Sequence, residues 1–259
     1  DISLQTNSVG RLVLPGAPVC ATCYHIEVTK NGYTSDKTYT TSEVANPDKR
    51  PLTITNQTVT EGVFVIDKVS TLKLYTYGSR EQHFPILPNC SVRLTGSRRI
   101  GTDVDGDPVY KYDQVVTTDV QGKLTIPNLG WDSYIVTLTS PTYNIAGSNP
   151  QLPFTLKPNQ TLDLLMTLVT RSSSNLLLTI HDATSSAIAS ASATLKLAPN
   201  FIATKSSGLA NEPDFGQIYF GNLQLGTFSY TITHNQYQTN TGTIVINGPT
   251  VDTMVLSPK

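Results

Sequence analysis

Cysteine is scarce in these 259 residues. Three thiols, at Cys20, Cys23 and Cys90, are too few for a disulfide framework and odd by one. Charge is scarce as well: Asp, Glu, Lys and Arg make up 14% of the chain and nearly cancel, leaving a formal −1 and a pI near 6.5. That balance excludes the basic field that grips a nucleic-acid backbone, and no acidic block suggests a store of cations. Long apolar runs are missing. LLMTLV at Leu164–Val169 is far too short to span a bilayer, and nothing at Asp1 reads as a signal peptide, so a mature or trimmed product is expected. No long stretch repeats its apolar residues every 3.6 positions, which argues against helices. G-x-S-x-G, Walker, Rossmann and H-E-x-x-H patterns are all absent, and His25, His83, His181 and His234 lie scattered.

What is present is polarity without charge. Thr, Ser, Asn and Gln carry the solubility, and β-branched residues are plentiful, a composition that suits an extracellular all-β protein. Apolar and polar residues alternate in LVL at Leu12–Leu14, YHIEV at Tyr24–Val28, TLKLYTY at Thr71–Tyr77 and LLLTIH at Leu176–His181. The same holds for QIYF at Gln217–Phe220 and TIVIN at Thr243–Asn247, each bounded by Gly, Pro, Asn or Asp. These read as strands.

Three segments superimpose: GRLVLPGAPVCATCYHIEVTKNGY from Gly10, GKLTIPNLGWDSYIVTLTSPTY from Gly122, and GQIYFGNLQLGTFSYTITHNQY from Gly216. Each has a glycine turn, an alternating strand, a second turn, and a strand led by an aromatic (Tyr24, Tyr134, Phe228). Each then closes on a tyrosine (Tyr33, Tyr143, Tyr237) nine residues after that aromatic. In an antiparallel hairpin that interval returns the tyrosine to pack beside the leading aromatic. Closing strands are expected at Glu61–Asp67, Thr161–Val169 and Thr250–Pro258. The repeat divides the chain into 1–68, 69–170 and 171–259, joined by short linkers that imply an elongated, stiff array of β-sandwiches. The first copy is incomplete, because its two opening strands have no counterpart before Gly10. Either the chain was trimmed there or a partner supplies them by strand addition.

These hairpins resemble the carboxypeptidase regulatory-like family, small Greek-key sandwiches akin to transthyretin and to the B repeats of collagen-binding adhesins. The residues carrying the likeness are Gly10, Leu12, Leu14, Tyr24, Gly32 and Tyr33; Gly122, Leu124, Ile126, Leu129 and Tyr134; and Gly216, Ile218, Phe220, Leu223, Gly226 and Phe228. The longer segments from Gly10 to Lys49, Leu94 to Tyr112 and Leu124 to Leu138 resemble ectodomains of prepilin-type proteins that accompany type IV pili, although the hydrophobic N-terminal helix of those proteins is absent. The resemblance implies no catalysis and a structural, spacing or adhesive role at the cell surface. Partners would then be pilus subunits or a host or cell-surface protein or glycan, with membrane attachment only through the absent helix.

Four features bear on chemistry. Cys20 and Cys23 form a C-x-x-C that runs into a strand and not a helix N-terminus, so a local disulfide is favoured over a redox or metal site. Cys90, just ahead of a strand, reads as a small buried hydrophobe. Asp103, Asp105 and Asp107 form D-x-D-G-D, which suits either a solvated turn or a weak calcium site, the only cofactor the chain suggests. Trp131, in the turn LGWDSY, is either a cap on a core or a platform for a sugar or protein. Sequons occur at Asn56, Asn89 and Asn159. The expected function is a non-enzymatic surface subunit of a type IV pilus, with a binding accessory module of a secreted enzyme as the alternative.

Overall fold

A computed structural model describes residues 2–199 and 201–259. Its strands are β1 Cys20–Tyr24, β2 Glu27–Val28, β3 Asp36–Lys37, β4 Asn46–Pro47, β5 Leu52–Ile54, β6 Ser70–Tyr77 and β7 Ser91–Gly96. There follow β8 Arg99–Thr102, β9 Pro108–Tyr110, β10 Asp113–Thr117, β11 Lys123–Leu129, β12 Asp132–Leu138, β13 Tyr143–Asn149 and β14 Phe154–Leu156. The chain ends with β15 Thr161–Thr170, β16 Asn175–Asp182, β17 Ser192–Leu197, β18 Phe201–Ser206, β19 Gln217–Phe220, β20 Gly226–Thr233, β21 Asn240–Ile246 and β22 Pro249–Leu256. One short 3₁₀ turn, Arg80–Gln82, is the helical element among the described residues, and no helix there is long and apolar enough to cross a membrane. The fold is all-β, as the alternation requires.

Two compact units emerge: Asp1–Asp67 with Arg99–Lys111, and Lys68–Arg98 with Tyr112–Lys259. The second unit holds two sandwiches, each closed over its own core. In the first of these, β10-β7-β12-β14 faces β11-β6-β15-β13. Leu72, Leu74, Val92, Leu94, Tyr134, Leu164 and Met166 interdigitate between the sheets. In the other, β18-β17-β20-β21 faces β19-β16-β22 around Leu176, Leu178, Leu195, Ile218, Phe220, Phe228 and Ile232. The alternating pattern explains both cores, since every second side chain of a strand points to one face.

The two sandwiches share one wiring. The opening strand, β6 or β16, pairs antiparallel with β11 or β19 and parallel with the closing strand, β15 or β22. The glycines that immediately precede β11 and β19, Gly122 and Gly216, adopt φ of 66° and 67°, a left-handed turn open to glycine at little cost. The copies differ by one strand. Between β12 and β14 the chain crosses to the opposite sheet and lays β13 along β15, whereas β20 returns directly to β21.

That crossing corrects the hairpin expected around Tyr134. Tyr143 begins β13 in the other sheet, so Tyr134 stacks instead on Phe154 at 5.8 Å and meets Tyr112 edge-on at 5.9 Å. Likewise Phe228 meets Phe201 edge-on at 5.4 Å, and Tyr237 lies against His234.

The first unit is built differently. Its strands form three small ribbons, β1-β5, β2-β3 and β4-β8-β9. Val44, 4% exposed, is the one hydrophobic side chain that it buries fully among the described residues. Cross-links of another kind hold it. Lys49 pairs with Asp36 at 2.5 Å and sits over the Phe64 ring, Lys37 pairs with Glu43 at 2.5 Å, and Arg99 forks onto Asp48 at 3.0 and 3.2 Å. Two expected strands are missing here. Leu12–Leu14 and Glu61–Asp67 belong to no ladder, and Leu12, Val13 and Leu14 are 48%, 78% and 43% exposed. Period-two alternation marks a chain able to pair, but a strand exists only where a neighbour accepts its backbone hydrogen bonds.

Candidate functional site

A cluster of polar and charged side chains lies where the two cored sandwiches meet. It is built on β13, on the 3₁₀ turn that Arg80 begins, and on the loop Leu209–Gly216 that leads into β19. β13 bulges between Ile145 and Gly147, which turns its edge toward that loop. A Cβ on Gly147 would stand 2.5 Å from the Asp214 Cβ, so only glycine permits this approach. The neighbouring Ser148 amide donates to Gln217 Oε1 at 2.6 Å, and Asn149 Nδ2 donates to the carbonyls of Ala210 and Glu212, both at 3.0 Å. At the other end of β13, Asn144 Nδ2 donates to the Tyr219 hydroxyl and to the Ser172 carbonyl, each at 3.1 Å.

Arg80 supplies the charge. Its guanidinium forks onto Asp214, Nε to Oδ2 at 2.9 Å and Nη2 to Oδ1 at 2.6 Å, and Nη2 also reaches Glu212 at 3.0 Å. The Asp214 side chain is 10% exposed. Burial pushes its carboxyl above the ordinary value, and the Arg80 fork opposes that shift. On the flank, Lys205 pairs with Glu81 at 2.5 Å; burial would raise the Glu81 carboxyl, yet the lysine holds it below its usual range. His181 Nε2 contacts Gln151 Oε1, and Gln151 Nε2 donates to the Phe215 carbonyl at 3.3 Å.

The segment between the sandwiches is itself locked. Ser172 and Ser174 are buried, Ser172 Oγ donates to the Ser174 carbonyl at 2.6 Å and accepts the Asn222 amide at 2.8 Å, and Ser174 Oγ donates to the Leu223 carbonyl. Each of these groups satisfies a partner that burial has removed from water. The arrangement is a clamp: bidentate ion pairing, amide readout of a bulged strand, and a linker without slack.

The residues singled out by the sequence lie elsewhere. Cys20 and Cys23 are bonded to each other within β1, where four steps from Cys20 to Tyr24 oppose two from Ile54 to Leu52. The disulfide therefore closes a bulge inside the strand, and the Thr22 amide at its apex donates to Thr53 Oγ1 at 2.9 Å. Asp103 caps the β8–β9 turn, its Oδ1 accepting the amides of Asp105 and Asp107 at 3.0 and 2.9 Å. Among the described residues no three His, Cys, Asp or Glu side chains converge as ligands, so the three aspartates are not brought onto one point. Trp131 is 48% exposed between β11 and β12. Cys90 is buried in the middle core with a free thiol whose pKa burial raises. Nothing in the sequence marks Arg80 or Asp214, which lie 134 positions apart; only the turn-forming run NEPDFG flags the loop.

No protein family matches this chain by sequence, and no curated protein does. Among solved structures it is similar to a streptococcal ancillary pilin, at 15% identity over 91% of this chain and 74% of that one, TM-score 0.31. It is also similar to the shaft pilin of Lactobacillus rhamnosus GG, at 12% identity over 74% and 98%, TM-score 0.28. A third is the minor pilin of Streptococcus agalactiae, at 13% identity over 73% and 96%, TM-score 0.27.

Proposed function

We propose that this chain is a structural subunit of a cell-surface filament or adhesin, which bears load and presents loops at the sandwich ends without carrying out catalysis. The observation behind this reading is the clamp between the sandwiches. A fork from Arg80, a glycine-gated bulge and a buried linker transmit force between two β-sandwiches, and none of them serves a reaction. Within each sandwich the terminal strands β6 and β15, and likewise β16 and β22, run parallel and side by side. Tension applied between the ends of a sandwich therefore shears the ladder, loading all its hydrogen bonds together. The coreless first unit, which carries the same Gly10 signature, is the remnant of a third copy of the blueprint in this reading.

The finer assignment, a minor pilin or pilus-associated subunit of a type IV system, draws on the resemblance of the Gly10–Lys49 and Leu94–Leu138 segments. Antibodies to residues 69–259 should label filaments on intact cells, and the full-length gene should place a prepilin cleavage site ahead of Asp1. Labelling confined to the cell interior would sink the surface role. A hydrolase domain in the gene would instead favour the accessory-module reading, for which the half-exposed Trp131 is the binding residue; its change to Ala would then abolish glycan capture.

A further inference from the structure

The two sandwiches differ at one edge. β15 is flanked by β6 and, on its far side, by antiparallel β13, with Tyr143 opposite Thr170 and Asn149 opposite Leu165. Its counterpart β22 has the same parallel neighbour and, among the described residues, no further strand beyond it in the sheet. The chain passes from β20 to β21 through residues 234–239, which supply a single antiparallel bridge, Tyr237 opposite Pro258, where β13 lays a whole strand. Among the described residues the far side of β22 and its extension meets Asn240 Nδ2, donating to the Val255 carbonyl at 3.3 Å, the Gln238 amide, donating to the Ser257 carbonyl at 2.8 Å, Gln238 Nε2, donating to the Pro258 carbonyl at 3.1 Å, and the Gln236 carbonyl, accepting the Lys259 amide at 3.1 Å. All of these contacts lie at the C-terminal end. Pro249–Asp252 therefore keeps an open edge, with Val251 73% exposed on it. Such an edge is a template for another strand.

The same chain carries a strand-like segment without a sheet. Arg11 closes a turn in which the Asn7 amide donates to its carbonyl and its own amide donates to Asn7 Oδ1. Leu12–Leu14 then alternates like a strand, is exposed, and makes no backbone hydrogen bond among the described residues. In the repeat it stands where β11 and β19 stand in the cored sandwiches, both of which pair antiparallel.

We propose that these two features complete each other between molecules: Arg11–Leu14 of one copy adds antiparallel to Pro249–Asp252 of the next, along the half of β22 that residues 236–240 leave uncovered. Charge sets the register. Arg11 opposite Asp252 pairs a cation with a half-buried carboxylate whose one hydrogen bond, from the Thr253 amide, is local. Leu12 then falls opposite Val251 and Val13 opposite Thr250, covering exposed apolar surface. Pro249, lacking an amide hydrogen, opens the strand, where proline is tolerated. Donor and acceptor are different surfaces, so the contact is head-to-tail and links more than two copies. The pairing does not depend on the surface role proposed above and stands or falls separately.

The test uses the whole chain and engineered thiols. In an antiparallel pair, opposed residues lie within disulfide reach. Mixing the Leu12→Cys and Val251→Cys variants at high concentration under mild oxidation should give covalent heterodimers, and the double variant should give a ladder of multimers on non-reducing gels. Leu12→Cys with Val245→Cys, an exposed site on β21, is the control and should cross-link about tenfold less. Arg11→Glu should cut the heterodimer yield by a similar factor, and Arg11→Glu combined across the interface with Asp252→Arg should restore it. Neither position is part of a core, so circular dichroism should be unchanged. Equal yields with the control, cross-links confined within single chains, or no rescue by the charge swap would overturn the proposal.

Discussion

The first unit and the two cored sandwiches are made from similar residues and reach opposite solutions. Among the described residues the two sandwiches bury 13 and 16 hydrophobic side chains between paired sheets, whereas the first unit buries Val44 and leaves Leu12, Val13, Val59 and Val63 in water. It relies on ion pairs, on lysines over aromatic rings, and on one disulfide. The difference teaches that an alternating segment is a half-reaction. Leu72 and Leu74 enter a core because β11 and β15 flank them, while Leu12 and Leu14 have no flanking strand and stay exposed. Burial comes from pairing, and pairing from what the rest of the chain provides.

The comparison would break if the cores did not dominate stability. Phe228 is fully buried in the last core. Phe228→Ala should cost about 3–5 kcal/mol, read as a lower denaturant midpoint. Hydrogen exchange should rise across β16–β22 and stay unchanged in β1–β5. A smaller loss is expected at the clamp. Gly147→Val forces the Asp214 backbone away, and Arg80→Met leaves a carboxylate that is nine-tenths buried without its partner. Each should cost about 1–3 kcal/mol and loosen the two sandwiches relative to one another while leaving each core folded, visible as independent tumbling by NMR relaxation. If either variant unfolded both cores, the clamp would be part of one core and not a joint between two. Smaller again, Cys20→Ser with Cys23→Ser opens a very short loop and should cost at most about 2 kcal/mol. Faster exchange should then appear at β1 and β5 only.

Much of the fold was legible because a period of two is imposed by strand geometry itself. β6, β15, β16, β19 and β21 fall where alternation placed strands, and the glycines at 122 and 216 adopt the left-handed turn that the repeat implied. β13 was not legible. YNIAGSN carries two asparagines and a glycine, poor strand formers, and survives as an edge strand because its bulge and Gly147 meet Asp214. The clamp was invisible for a related reason. An ion pair between residues 134 positions apart leaves no local signature, since its geometry exists only after both sandwiches have folded. The bulge in β1 that holds Cys20 and Cys23 was not legible, because it depends on how β1 meets β5.

The smallest expected effect sharpens the contrast most directly, because it separates a unit held by charge from units held by burial. Lys37 and the Thr40 amide both donate to Glu43, and together they hold its carboxyl at about 2, well under its ordinary 4.5. Asp36 is also lowered: burial would raise it, but Lys49 and the Val65 amide outweigh that. A depressed carboxylate binds fewer protons in the folded state than in the unfolded one. Its stabilising contribution is therefore complete above the unfolded value and disappears as pH falls toward the folded value. Between pH 4.5 and about 2 the first unit should loosen while the apolar cores persist. Side-chain carboxyl titration by NMR should follow Glu43 directly, and Lys37→Met should return it toward 4.5. A Glu43 midpoint near 4.5 in the unmodified chain would show that the ion pair is too weakly held to organise this unit, leaving the disulfide and the aromatic contacts to account for it.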